Sequence, residues 1–211
     1  MVIRMKINEI FYSIQGEGPQ VGMPAWFIRT TGCNLSCSWC DTKYALKDGQ
    51  EMSIKDIKGK INNGCKNIVI TGGEPFLQED LLDLLKSLTN KNVYIETNGT
   101  IYKSNCIGMA NFIVSPKPQF LNPNYLKVLK KWSTHAVFKF VIEDRIDFDR
   151  ALKICAECSK DEDIYFMPMG TTEKTLKENM IKIIKWIKKD APYVNLTPRL
   201  HIYLYGKQRG V

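Results

Sequence analysis

From Ala25 onward, short β-rich apolar runs alternate with amphipathic stretches, the pattern of repeated βα units. The runs predict strands over Ala25 to Thr30, Asn67 to Thr71, Val93 to Glu96, Phe112 to Ser115, Ala136 to Ile142, Ile164 to Met167 and Tyr193 to Thr197. The clearest helix spans Glu173 to Lys189, where Leu176, Met180, Ile183, Ile184 and Ile187 recur at helical spacing and lysines fill the opposite face. Leu81, Leu82, Leu84, Leu85 and Leu88 mark a helix after Glu79, and Ala151 with Ile154 mark another after Asp147. No Pro/Gly/Ser linker, low-complexity tract or repeat interrupts the pattern, so residues 1–211 read as one domain.

Each polar motif directly follows a predicted strand. Thr31 to Cys33 follow the first, Gly72 to Pro75 the second, Thr97 to Gly99 the third, Pro116 and Lys117 the fourth and Pro168 to Gly170 the sixth. In parallel α/β folds the loops leaving the carboxyl ends of strands share one face, and that face carries the active site. Five motifs distant in sequence are therefore expected to converge.

Composition and charge narrow the classes of function. A chain of 211 residues, 44% hydrophobic, buries one substantial core. Lys and Arg outnumber Asp and Glu by 30 to 22, a net charge of +8, but the basic residues are dispersed, which favours solubility over nucleic-acid binding. The first twelve residues lack the apolar core of a secretory signal and no run is long enough to cross a bilayer, so the expectation is a cytoplasmic protein without a membrane partner. Seven cysteines, an odd number with three inside eight residues, argue for metal binding in a reducing compartment rather than a disulfide framework.

Those three are Cys33, Cys37 and Cys40, at spacings of four and three. Thiolates suit zinc or iron-sulfur clusters. A closed zinc site takes four ligands, and this loop supplies three, which on a four-iron cluster leaves one iron open for chemistry. Cys155 and Cys158 fall in a helical stretch without a second pair, and Cys65 and Cys106 stand alone, so all four read as structural.

The CxxxCxxC loop after a first strand resembles the radical S-adenosylmethionine (SAM) superfamily, and Gly72 to Pro75 resembles its GGEP motif. The segment Glu9 to Gly18, Arg29, Cys40 to Thr42, Glu96 to Gly99, Ser115 to Lys117 and the ending Tyr205 to Val211 further resemble the 7-carboxy-7-deazaguanine synthase family, from near residue 5 to the C-terminus. The resemblance implies a modified, partial TIM barrel of about six parallel strands. It also implies ring contraction of 6-carboxy-5,6,7,8-tetrahydropterin to 7-carboxy-7-deazaguanine with loss of ammonia, a lyase step toward queuosine-type 7-deazapurines. The superfamily reaction cleaves SAM reductively into methionine and a 5′-deoxyadenosyl radical, which here would abstract hydrogen from C6 of the pterin.

Site roles follow from the same resemblance. Cys33, Cys37 and Cys40 hold a [4Fe-4S] cluster; Gly73, Ser115, Pro116, Lys117, Met167, Pro168, Met169 and Gly170 contact SAM. Met167 and Gly170 stand where some relatives carry Gln and Asp, so backbone contacts are implied there. Ile14, Gln15, Gly16, Arg29, Thr71 and His201 meet the substrate, with the Arg29 fork on its carboxylate. Thr42 is implied as a ligand of Mg²⁺, which completes its octahedron with substrate oxygens and water. Read alone, Asp41 and Thr42 would form a helix cap or turn, and Asp41 has no assigned role. A one-electron donor and a homodimer complete the implied picture. Two rival readings are a glycyl-radical-enzyme activase, which would lack the Gln15 to Gly18 segment, Arg29 and Thr42, and a basic zinc- or cluster-containing nucleic-acid-binding module. The latter would need a fourth metal ligand and a concentrated basic-aromatic surface.

Overall fold

The computed structural model describes residues 4–61, 64–158, 163–206 and 208–211; Lys207, in the C-terminal motif, lies outside them. Among the described residues nine strands form one sheet: β1 (Arg4–Ile14), β2 (Pro24–Thr30), β3 (Gln50–Ser53), β4 (Asn67–Gly72), β5 (Asn92–Thr97), β6 (Asn111–Val114), β7 (Ala136–Ile142), β8 (Ile164–Pro168) and β9 (Asn195–Leu196). Their order is β3-β1-β2-β4-β5-β6-β7-β8-β9, with every pair from β2 to β9 parallel. Six parallel strands of four residues or more thus make the partial barrel, and β9 adds two residues at its edge. The expected strand over Tyr193 to Thr197 contracts to β9, and Ser115 lies just beyond β6.

The helices are α1 (Ile54–Lys60), α2 (Leu81–Ser87), α3 (Pro123–Trp132), α4 (Arg145–Cys158), α5 (Glu173–Asp190) and α6 (Leu200–Tyr205). Local chemistry starts several of them. Ser53 and Asp56 form a reciprocal capping box at α1, and the Asn122 side chain caps α3 just before Pro123. Cys155 and Cys158 are buried on α4, in keeping with their structural reading.

Alternation along the strands sorts the two faces. Ile28, Ile68, Ile70, Val93, Ile95, Phe112, Val114, Phe138, Phe140 and Phe166 pack with helical residues such as Leu84, Leu129, Phe148, Ile154 and Ile183 in the main core. The intervening residues face the other side. There Ala25, Phe27 and Val69 form a small apolar cluster with Phe11, Met23 and Tyr94. Two residues further along that face, Phe27 gives way to Arg29, Val69 to Thr71 and Tyr94 to Glu96, so the non-helical face turns polar at the carboxyl ends of the strands.

The principal departure from the sequence reading is β1. It pairs antiparallel with both β2 and β3, and it directs the Gln15 to Gly18 segment across the open end of the sheet.

Candidate active site

A pocket of about 530 Å³ opens at the carboxyl ends of the strands, within the range of small-molecule sites. It is lined by all three loop cysteines and by each of the expected contact residues except Pro116 and Pro168. Those two prolines lie between lining residues on the Ser115 to Lys117 and Met167 to Gly170 loops.

The cysteine loop lies directly against the GGEP turn. Glu74 N donates to Gly32 O at 2.8 Å, and a Cβ at position 73 would stand 1.9 Å from that same oxygen. Glycine at 73 therefore permits the contact. Glu74 is fully buried; its Oε1 accepts from Phe76 N and Thr97 Oγ1, and its Oε2 accepts from Asn98 N. This carboxylate fastens the GGEP turn to the Thr97 to Gly99 turn, a structural role absent from the sequence reading. Asn98 in turn donates to Asn34 Oδ1 at 3.0 Å and lies 3.8 Å from Cys33 Sγ. The hydroxyl of Tyr125 on α3 donates to Asn98 O and accepts from Lys117 N, linking the Ser115 to Lys117 loop to the same assembly.

Cys33, Cys37 and Cys40 are free thiols, partly accessible on the pocket wall. Burial holds the thiols of Cys33 and Cys37 above the ordinary range, and the loop's other thiols raise them further. Among the described residues, no three His, Cys, Asp or Glu side chains form a preformed single-ion site. Three soft ligands on one loop beside a small-molecule pocket fit a cluster with an open iron better than a closed zinc centre.

Arg29 donates from Nε to Glu9 Oε1 at 2.7 Å and lies over the rings of Phe11 and Tyr44. Its two terminal nitrogens have no hydrogen-bond partner among the described residues, leaving the fork free for a planar anion. Thr42 precedes a 3₁₀ turn over Lys43–Leu46 but makes no side-chain cap. It donates its hydroxyl to Asp41 Oδ1 at 2.7 Å instead, which leaves the oxygen lone pairs for a hard cation. Asp41 and Thr42 thus form a turn, with Thr42 O accepting from Ala45 N at the start of the 3₁₀ turn, and only the side-chain cap is missing.

Gln15 is held at both ends of its amide: Nε2 donates to Glu96 Oε1 at 3.2 Å, and Oε1 accepts from Glu17 N at 3.1 Å. Glu96 Oε2 accepts from Thr71 Oγ1 at 3.1 Å. His201, on α6, packs over Gly16 so closely that a Cβ there would lie 2.2 Å from its Nδ1. Burial lowers the pKa of His201, outweighing the nearby Glu17 carboxylate, so the imidazole is neutral near neutral pH.

Sequence reasoning missed the ionic framework beneath these groups. Lys139, on β7, pairs with Glu17 at 2.7 Å and Glu96 at 3.1 Å. Arg199 donates from Nε to Glu17 at 3.0 Å, from Nη1 to Gly170 O at 2.7 Å and from Nη2 to Asp41. Burial disfavours ionised Glu17, but Lys139 and Arg199 more than offset it and hold its carboxyl well below the usual range. Asp41 is held low by Arg199 and the Thr42 hydrogen bond against a similar burial penalty.

Residues 27–189 match the model of the Radical SAM superfamily. The chain is 35% identical to a 7-carboxy-7-deazaguanine synthase of Thermoplasma acidophilum, over 98% of this chain and all of the relative. It is 31% identical to the enzyme of that name from Halobacterium salinarum, over 96% of this chain and 91% of the relative. The crystal structure of QueE from Escherichia coli superposes with a TM-score of 0.71 at 26% identity, covering 94% of this chain and 95% of that one. Streptococcus suis SuiB bound to S-adenosylmethionine shares the fold at 15% identity, with a TM-score of 0.56 over 80% of this chain and 48% of its own.

Proposed function

The chain belongs to the 7-carboxy-7-deazaguanine synthases of the radical SAM superfamily, and from that premise we propose how its pocket divides among cluster, SAM, metal and pterin. The enzyme converts 6-carboxy-5,6,7,8-tetrahydropterin to 7-carboxy-7-deazaguanine with release of ammonia, a step of 7-deazapurine (queuosine) biosynthesis. The single observation that carries the assignment of residues is the convergence of Cys33, Gly73, Lys117, Arg29, Thr42 and His201 on one pocket. An iron-sulfur cluster and SAM, when bound, supply the hydrogen-abstracting radical, and the protein controls what it meets.

In this reading Cys33, Cys37 and Cys40 ligate the cluster. SAM lies along Gly73, Ser115 to Lys117 and Met167 to Gly170. Pro116 and Pro168 do not line the pocket; they shape the two loops whose neighbouring residues do. Ile14, Gln15, Gly16, Thr71 and His201 surround the pterin. The free Arg29 fork takes its carboxylate, and Thr42 would hold Mg²⁺, which would help to orient the substrate and offset its charge. Neutral His201 offers a donor and an acceptor without adding charge. The pocket walls exclude water and hold the reacting carbon in one orientation, the protein's principal share of catalysis. One domain over residues 1–211, a homodimer, a cytoplasmic location and an unidentified one-electron donor complete the reading, on the support of family membership; no described helix is long and apolar enough to cross a membrane.

The direct test is anaerobic reconstitution followed by incubation with the tetrahydropterin, SAM, Mg²⁺ and a reductant. Mass spectrometry should detect 7-carboxy-7-deazaguanine and 5′-deoxyadenosine. SAM cleavage without deazaguanine would leave the superfamily assignment standing and remove the substrate. For the metal, Thr42→Ala is expected to weaken the apparent affinity for Mg²⁺ by at least about 10-fold, the lower bound for losing even a supporting group of a metal site. An unchanged Mg²⁺ titration of turnover would remove Thr42 from that role.

A further inference from the structure

Lys139 occupies the middle of β7 on the sheet face that bears the pocket, and only 3% of the residue is accessible. A buried ammonium is retained only where its desolvation is offset by close carboxylates and further hydrogen bonds. Both are present. Nζ lies 2.7 Å from Glu17 Oε2 and 3.1 Å from Glu96 Oε1. These carboxylates come from the segment after β1 and from β5, neither of which pairs with β7 in the sheet.

The carboxylates also hold the polar groups of the substrate side. Glu96 accepts from Gln15 Nε2 through one oxygen and from Thr71 Oγ1 through the other, while the Glu17 backbone N–H donates to Gln15 Oε1. Both ends of the Gln15 amide and the Thr71 hydroxyl are therefore set by groups that Lys139 ties together. Without the ammonium, Glu96 would lose its cationic partner in a confined site. It would then rotate toward another donor, and that rotation would release Gln15 and Thr71.

We propose that Lys139 is a positioning residue for pterin recognition, acting through Glu96 and Glu17 on the Gln15 amide and the Thr71 hydroxyl. The inference rests on the reading of Gln15 and Thr71 as substrate contacts. Its value to the enzyme is preorganisation: the site meets the ring with its donors and acceptors already fixed, so binding does not have to order them.

A double-mutant cycle on the reconstituted holoenzyme tests the proposal, with KM for the pterin, kcat, SAM affinity and Tm measured for each variant. Lys139→Met is expected to raise KM by about 10-fold or more with a smaller effect on kcat, the signature of lost substrate binding. SAM affinity should be unchanged. Glu96→Gln should raise KM similarly, and the double variant should be no worse than the poorer single one, because both changes break the same linkage. Lys139→Arg, which keeps the charge and its reach to two carboxylates, should stay within about 3-fold of the parent. Where Lys139→Met fails to fold, Lys139→Gln replaces it in the cycle, since an amide can still donate to one carboxylate.

A lowered Tm with an unchanged KM would overturn the proposal in favour of a purely structural ion pair. Multiplicative effects of the two changes would overturn it in favour of direct contact between Lys139 and substrate. Gln15→Ala and Thr71→Val form the separate control arm. If both leave KM unchanged, the substrate reading itself fails; if they raise KM and Lys139→Met does not, only the role of Lys139 fails.

Discussion

Cys37→Ala is expected to abolish deazaguanine formation and the visible absorbance of the cluster together. Cys37 is the middle of the three thiols, which share one loop and one wall of the pocket. Two remaining thiolates cannot hold the cluster in the three-ligand arrangement that leaves an iron open. Removing a group that merely supports a metal ligand costs about 10–100-fold, so deletion of a ligand should lower turnover by more than about 100-fold. Iron and sulfide content, absorbance and 5′-deoxyadenosine release should fall in parallel. Cys106→Ala supplies the contrast: this thiol is wholly buried in the main core, so its loss should lower stability while leaving the cluster intact. A Cys37→Ala protein with normal iron content and turnover would refute the central assignment.

The parallel sheet was legible because fully buried strands leave continuous apolar runs. β7 matches its expected bounds of Ala136 to Ile142, and α5 extends only one residue past its expected end. β1 was not, for a reason visible in its burial. Only Met5 and Ile7 are buried along its eleven residues, so its period-two signal is weak, and its pairing partners β2 and β3 follow at longer range. The Tyr193 to Thr197 run illustrates the opposite error. β-favouring residues are present, but the strand beside β8 spans Asn195 and Leu196, with Thr197 N adding one hydrogen bond to Phe166 O.

The loops that carry the site announced themselves through compact motifs, whereas the ionic framework did not. Lys139 and Glu17 are separated by 122 positions, and Arg199 and Glu17 by 182. A lysine within a β-rich run and an arginine before a short helix have no local signature of burial. The available clue was a mismatch: Lys139 interrupts an otherwise apolar strand, where a charge must either point to solvent or find partners. Gln15 lines the pocket, but the sequence did not reveal that much of its amide is occupied by Glu96 and Glu17.

Arg199→Met should produce a large loss of stability, because this guanidinium joins three otherwise separate parts of the pocket. Nε, Nη1 and Nη2 donate respectively to Glu17, the Gly170 carbonyl and Asp41, while the side chain is only 7% accessible. Methionine fills a similar volume but leaves Glu17 with Lys139 as its remaining close cation and strips a buried carbonyl of its donor. Breaking one side of a buried ion pair costs about 3 kcal/mol or more. Most of this belongs to the Glu17 contact, since the Asp41 side chain is 40% accessible and solvent screens its pair. Lysine should rescue little, because one ammonium cannot reproduce donors aimed in three directions. Freed Asp41 should also loosen its hydrogen bond with Thr42, so a weaker apparent affinity for Mg²⁺ should accompany the fall in Tm. The sign of the pH dependence follows from Glu17 and Asp41, whose folded-state pKa values both lie below their ordinary ones. Depressed carboxyl pKa values stabilise the fold above the ordinary carboxylate range, and that stabilisation disappears as pH falls through the folded-state values. The Tm difference between parent and Arg199→Met should therefore be fully present near neutral pH and shrink on acidification. A difference that stayed constant, or grew, as pH fell would show that Arg199 stabilises the fold through packing rather than through these two carboxylates.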